Sequence, residues 1–163
     1  MSLDETKLHQ LRYICQKVVN DPDLLPENSK GEKVVDPKIN GPITRTFCNI
    51  AVNRICTHMG YDKLAGMLAN QIYEHCAKEP AWLHADADSA HEAALCGDLA
   101  LALLQGQPHG HCAVVYPAGP KIYSGRWQIY CPKVANVGAR NGIIGANWAF
   151  RERPLYVILR RET

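Results

Sequence analysis

Gly110-His111-Cys112-Ala113-Val114-Val115-Tyr116-Pro117 is a short apolar run held between a glycine and a proline. It reads as a β-strand. Alternation puts His111, Ala113 and Val115 on one face, and Cys112, Val114 and Tyr116 on the other. Runs of the same kind lie on both sides: Leu99 to Leu104, Trp127 to Tyr130, Val134 to Val137, Ile143 to Phe150 and Leu155 to Arg160. Turn residues separate them, as in Gln105-Gly106-Gln107-Pro108, Pro117-Ala118-Gly119-Pro120 and Asn141-Gly142. The C-terminal half therefore predicts an antiparallel sheet.

The N-terminal half has a different period. Leu8, Leu11, Cys15 and Val18 mark an amphipathic helix, with Ser2-Leu3-Asp4-Glu5 as its capping box. Cys48, Val52, Ile55 and Met59 mark a second helix closed by Gly60, with Thr46 as its N-cap. Leu64, Leu68, Ile72 and Cys76 mark a third, stopped near Pro80; Trp82 follows in a connector, and Ser89 to Cys96 is a short alanine-rich helix. Residues 20–44, with four prolines and two glycines, predict an ordered loop of the length that tends to form a groove wall. Helices first and strands second predict a single α+β domain over residues 1–163, with N-terminal helices packed on one face of a C-terminal antiparallel sheet.

Composition sets bounds. Hydrophobic residues make up 47% and charged residues 21% of the 163, as in ordinary globular proteins. The net charge of +2 includes no Lys/Arg run, which argues against nucleic acid as the main partner. No segment is apolar enough to span a bilayer, and the acidic, polar start has no apolar core of signal-peptide length. The expectation is a chain made in the cytoplasm without a Sec signal and with no membrane partner. Seven cysteines with no CxxC pair predict reduced, mostly buried thiols and no zinc knuckle. His84-Ala85-Asp86-Ala87-Asp88 lacks the glycine and closing glutamate of a calcium loop. His58, His75 and His91 lack ligand-spaced partners, and Ser124 lacks a G-x-S-x-G context.

Two residues carry the chemistry. Cys48 falls in the first turn of its helix, where unpaired N–H groups and the helix dipole stabilise a thiolate. His111 opens the strand, and its face is expected to lie beneath the Cys48 helix. A thiol and an imidazole meeting there form a nucleophile with its general base. A third polar group on a neighbouring strand would hold the ring, and Asn136 has the right setting. Asn136 also reads as a residue ending a strand before Gly138, with Asn147 and Asn49 as alternatives. His109, two residues before His111, is the rival base, but it lies in the turn.

Thr46-Phe47-Cys48-Asn49-Ile50-Ala51-Val52 followed by Gly110-His111-Cys112-Ala113-Val114-Val115 resembles the NlpC/P60 and CHAP group of papain-like cysteine peptidases. The resemblance spans roughly residues 40–150. It implies a papain-like fold and hydrolysis of amide bonds in bacterial peptidoglycan. It implies Cys48 as nucleophile, His111 as general base and acid, Asn136 as the orienting residue, and no cofactor. Asn49 and Trp127 are the expected substrate contacts, with cell-wall peptide as partner. The missing export signal and cell-wall-binding repeat depart from that group and fit a phage or prophage enzyme, or delivery by another route. Thiol acyl transfer or deamidation on the same scaffold, and a peptide-binding module without catalysis, are the alternative readings.

Overall fold

Leu11, Ile14, Cys15, Val18 and Val19 form the buried stripe of α1 (Glu5–Val19). The computed structural model describes residues 2–162. Asp4 rather than Ser2 caps α1, accepting from the Lys7 N–H at 3.0 Å. Residues 20–44 are ordered, as the sequence predicts, around a 3-10 turn at Pro22–Leu24 and the one-turn α2 (Pro37–Asn40). Asn28 holds this segment together: its side-chain oxygen accepts from the Lys30 and Glu32 N–H groups, and its amide donates to the Asn40 carbonyl at 2.8 Å. Then come α3 (Cys48–His58) and α4 (Ala69–Lys78). The latter starts later than the apolar spacing predicts, because Leu64 is buried from the turn before it.

Trp82 lies in a strand, β1 (Trp82–Ala85), not in a connector, and α5 (Ala87–Leu95) follows. The remaining elements are β2 (Ala100–Leu104), β3 (His111–Val115), β4 (Ile122–Ser124), β5 (Ile129–Cys131), β6 (Lys133–Asn136), β7 (Gly142–Gly145), α6 (Ala146–Ala149) and β8 (Leu155–Leu159). The expected strand at Ile143 to Phe150 is thus split into β7 and a helical turn. Trp127 sits in the turn of the β4–β5 hairpin, a two-stranded sheet of its own.

Six strands form one antiparallel sheet in the order β1-β8-β2-β3-β6-β7. Alternation divides its side chains between two cores. Leu101, Leu103, Cys112, Val114, Ala135 and Val157 point to the side of α1, α3 and α4. Ala100, Ala102, Ala113, Val115, Val134, Tyr156 and Ile158 point to the side of α5, α6 and the hairpin. The α+β class is as the sequence predicts, but helices cover both faces of the sheet and not one, because its central strands are apolar on both sides. Among the described residues, no helix is long and apolar enough to cross a membrane.

Candidate active site

The loop enters α3 through Phe47, which holds a non-helical conformation (φ −127°, ψ 32°), so Phe47 and not Thr46 is the N-cap. The Phe47 ring fixes that entry point. It is buried, with the Lys33 ammonium 4.7 Å and the Arg45 guanidinium 4.9 Å from its centroid. Cys48 is the first helical residue, and no side chain caps the turn it begins. The N–H groups of this first turn are therefore left without a side-chain cap, at the positive end of the helix dipole. The Cys48 side of the helix buries Ala51, Val52, Ile55 and Cys56, and Gly60 takes a positive φ just past its end.

Cys48 opens on a cleft of about 590 Å³. One wall is the segment from Ile43 to Phe47, so of the expected groove wall at residues 20–44 only its last two residues line the cleft; Leu68, Asn70 and Gln71 form another, and Pro108 to Gly110 a third. Asn70 ties two of these walls together. Its amide donates to the Gly106 carbonyl at 2.8 Å, and its oxygen accepts from the Gly106 N–H at 3.1 Å. Gly110 passes so close to the Asn70 side chain and the Leu104 carbonyl that a Cβ there would collide with both.

The helix-covered face is not the one the sequence reading assigns. α3 packs on β3, but against the face of Cys112 and Val114. His111 and Ala113 belong by alternation to the opposite face. His111 is the first residue of the strand, at the end of the sheet and before β3 and β6 begin to pair. The His111 ring and the Cys112 thiol both act on the Cys48 thiol there.

Asn136 is where the sequence places it, at the end of the neighbouring strand. β3 and β6 pair with Val114 opposite Ala135 and Val115 opposite Val134, so Asn136 shares the His111 face. His111 Nε2 lies 2.6 Å from Asn136 Oδ1. The Asn136 amide donates to the Arg140 carbonyl at 2.6 Å, which leaves Oδ1 as the acceptor for the ring. Nε2 therefore carries a proton, and Nδ1 is left for the sulfur. The Phe150 ring backs the imidazole at a centroid distance of 4.8 Å. On the other side Gly138 leaves room for it, since a Cβ there would come within 3.3 Å of Cε1.

Charge follows from these contacts. The S–H of Cys112 and the His111 ring hold the Cys48 thiol well below the ordinary thiol value, against the opposing effect of burial. Burial disfavours a charged His111, but its bonds to Cys48 and Asn136 outweigh that and raise it above the ordinary histidine value. Cys112 moves up for the complementary reason: it donates to the Cys48 sulfur and is buried. The favoured state is a thiolate–imidazolium pair with Cys112 protonated beside it.

The other candidates lie elsewhere or do other work. Asn49 lines the cleft, and its amide donates to the Met67 carbonyl at 3.0 Å, tying α3 to the segment before α4. His109 is exposed on the cleft rim. Trp127 is 7% exposed and packed in the core on the α5 side of the sheet, not in the cleft, because Ser124 and Arg153 anchor its backbone in the hairpin turn. Asn147 folds against Gly145 on α6. Asp86 caps α5 by accepting from the Ser89 N–H at 2.7 Å. Among the described residues, no three His, Cys, Asp or Glu side chains are grouped to hold a metal ion. Sequence reasoning left Cys112, Asn70, Gly138 and Phe150 without a role. For Cys112 the signal was its alternation with His111; the other three carry none. In comparisons with known proteins, no family model matches the chain and no curated protein matches it.

Proposed function

We propose that this protein is a cysteine amidohydrolase of papain-like type, in the manner of the NlpC/P60 and CHAP peptidases, that cleaves amide bonds in cell-wall peptide. The observation that carries the reading is the linked set Cys48, His111 and Asn136, with its sulfur at a helix start on the floor of an open cleft. A helix-initial nucleophile, a strand-initial histidine and a polar residue on the next strand also support the papain-like assignment.

The chemistry is acyl transfer. The Cys48 thiolate attacks the amide carbonyl, and uncapped N–H groups at the start of α3 receive the developing oxyanion. The His111 imidazolium gives its Nδ1 proton to the leaving amine, and the C–N bond breaks. Neutral His111 then takes a proton from water, whose oxygen attacks the thioester and frees the acid and the thiol. Asn136 keeps Nε2–H engaged throughout, so Nδ1 stays aimed at the reacting atoms.

The test uses purified peptidoglycan, followed by loss of turbidity and release of peptide. Cys48→Ala is expected to abolish both, a loss of about 10³-fold or more. Full activity in that variant removes the assignment.

A further inference from the structure

The Cys48 cleft has a cation on its wall and no carboxylate. Among the described residues that line it, Arg45 bears a positive charge, His109 is the other basic side chain, and none is Asp or Glu. Arg45 is built into its wall. Its backbone pairs with that of Glu27, accepting from the Glu27 N–H at 2.9 Å and donating to the Glu27 carbonyl at 3.1 Å. Its guanidinium lies over the ring of Phe47, the residue before Cys48, at 4.9 Å from the centroid. A planar guanidinium held over a ring keeps its N–H edge for a carboxylate, which it can grip through two parallel hydrogen bonds.

The ion pair that Arg45 makes does not use this capacity up. The Glu27 carboxylate is 3.8 Å from Arg45 but 3.1 Å from Lys33, whose ammonium also lies over the Phe47 ring. Two cations thus share one carboxylate beside Phe47. The Arg45 side chain stays 67% exposed, against 18% for Glu27, so the surplus charge is on the residue that lines the cleft.

We propose that Arg45 is the specificity residue of this site, and that the cleft takes a peptide bearing a carboxylate close to the amide that Cys48 attacks. The carboxylate pairs with the Arg45 guanidinium and so fixes where along the cleft the scissile carbonyl lies. A neutral peptide of the same length gains no such anchor. The proposal rests on Cys48 being the nucleophile, and it adds the charge of the substrate to that reading.

The experiment labels Cys48 of the full chain with N-bromoacetyl derivatives of glycine, β-alanine and γ-aminobutyrate, each as the free acid and as the primary amide. Intact mass and peptide mapping give the rates. The acids place a carboxylate at different reaches from the sulfur, and the amides match their shape without the charge. For at least one length the acid is expected to react about 10- to 100-fold faster than its amide, the range for a hydrogen-bonded charge pair. Added salt should reduce the preference. Arg45→Gln should bring the two rates together and leave the amide rate unchanged, which also shows the site intact. Equal acid and amide rates at every length in the native protein overturn the proposal, and so does a preference that survives in Arg45→Gln. Where Arg45→Gln loses the amide rate as well, Arg45→Lys decides: the preference must shrink there, and an unchanged one overturns the proposal. Hydrolysis of purified peptidoglycan is followed alongside, before and after carbodiimide and ammonia convert its carboxylates to amides. Equal hydrolysis of the two forms overturns the carboxylate anchor. No hydrolysis of either counts against the hydrolase reading alone, and the labelling rates still decide the role of Arg45.

Discussion

The two faces of the central sheet are built from different material. Towards α1, α3 and α4 the strands present Leu101, Leu103 and Val157, met by Leu11, Val52, Ile55, Leu64 and Ile72 from the helices and the turn before α4. Towards α5 and α6 they present Ala100, Ala102 and Ala113, met by Ala90, Ala93 and Ala94 of α5. Large residues fill a deep layer on one side, and small residues let a helix lie close on the other. The site belongs to neither face alone. Cys48 and Cys112 come from the first and His111 and Asn136 from the second, and they meet only where β3 begins.

This contrast predicts that adjacent residues of β2 are sensitive to opposite changes of volume. Leu103→Ala empties space in the deep layer and is expected to cost about 2–5 kcal/mol in denaturant unfolding. Ala102→Leu forces bulk between the sheet and α5 and is expected to cost about 1–3 kcal/mol. The two sites are fully buried, so exposure does not separate them. If Ala102→Leu proves neutral, the close approach of α5 is not the constraint argued here.

The meeting point is tested by Asn136→Ala, whose effect is read in rate and not in stability. A hydrogen bond to a charged partner is worth about 1.5–3 kcal/mol, or roughly 10- to 100-fold in hydrolysis rate. The pH profile gives the sign. The Asn136 bond raises His111, so the native imidazolium persists above the ordinary histidine range, and activity falls only as pH rises through that raised value. Without Asn136 the alkaline limb should move to lower pH. The acid limb follows Cys48, whose lowered value keeps the thiolate present below the usual 9.0, and it should hardly move. Iodoacetamide alkylation of Cys48 against pH measures that limb without substrate. A rate loss with an unmoved alkaline limb would mean that Asn136 supports the strand and not the ring.

Much of this arrangement was legible in the chain. The apolar runs Ala100–Leu104 and His111–Val115, bounded by turn residues, named their strands, and the helical spacing from Cys48 to Ile55 named its helix, which buries one side only. The order of helices and strands then gave the α+β class. Asn136 stood out as a polar residue in an apolar strand. What could not be read was which face of β3 lies under α3. Both faces are apolar and both are covered, so alternation alone leaves the choice open, and Cys112 went unassigned. Trp127 failed for a related reason: an aromatic beside a turn packs equally well in a core or a groove, and hydrogen bonds from residues distant in sequence decided it. The short elements β1, β4 and α6 depend on tertiary pairing more than on their own pattern.

The smallest expected effect sharpens where the alanine-rich layer ends. Trp148 is carried by α6 on the same side of the sheet as Trp127, yet it is 72% exposed while Trp127 is 7% exposed. Size and residue type are equal, so burial alone should set the difference. Trp148→Ala is expected to change unfolding free energy by no more than about 0.5 kcal/mol. Trp127→Ala should be felt several times more strongly, since the whole indole is removed from a packed layer. If the two variants cost the same in denaturant unfolding, α6 is anchored through Trp148, and the second core extends out to the ring that now faces solvent.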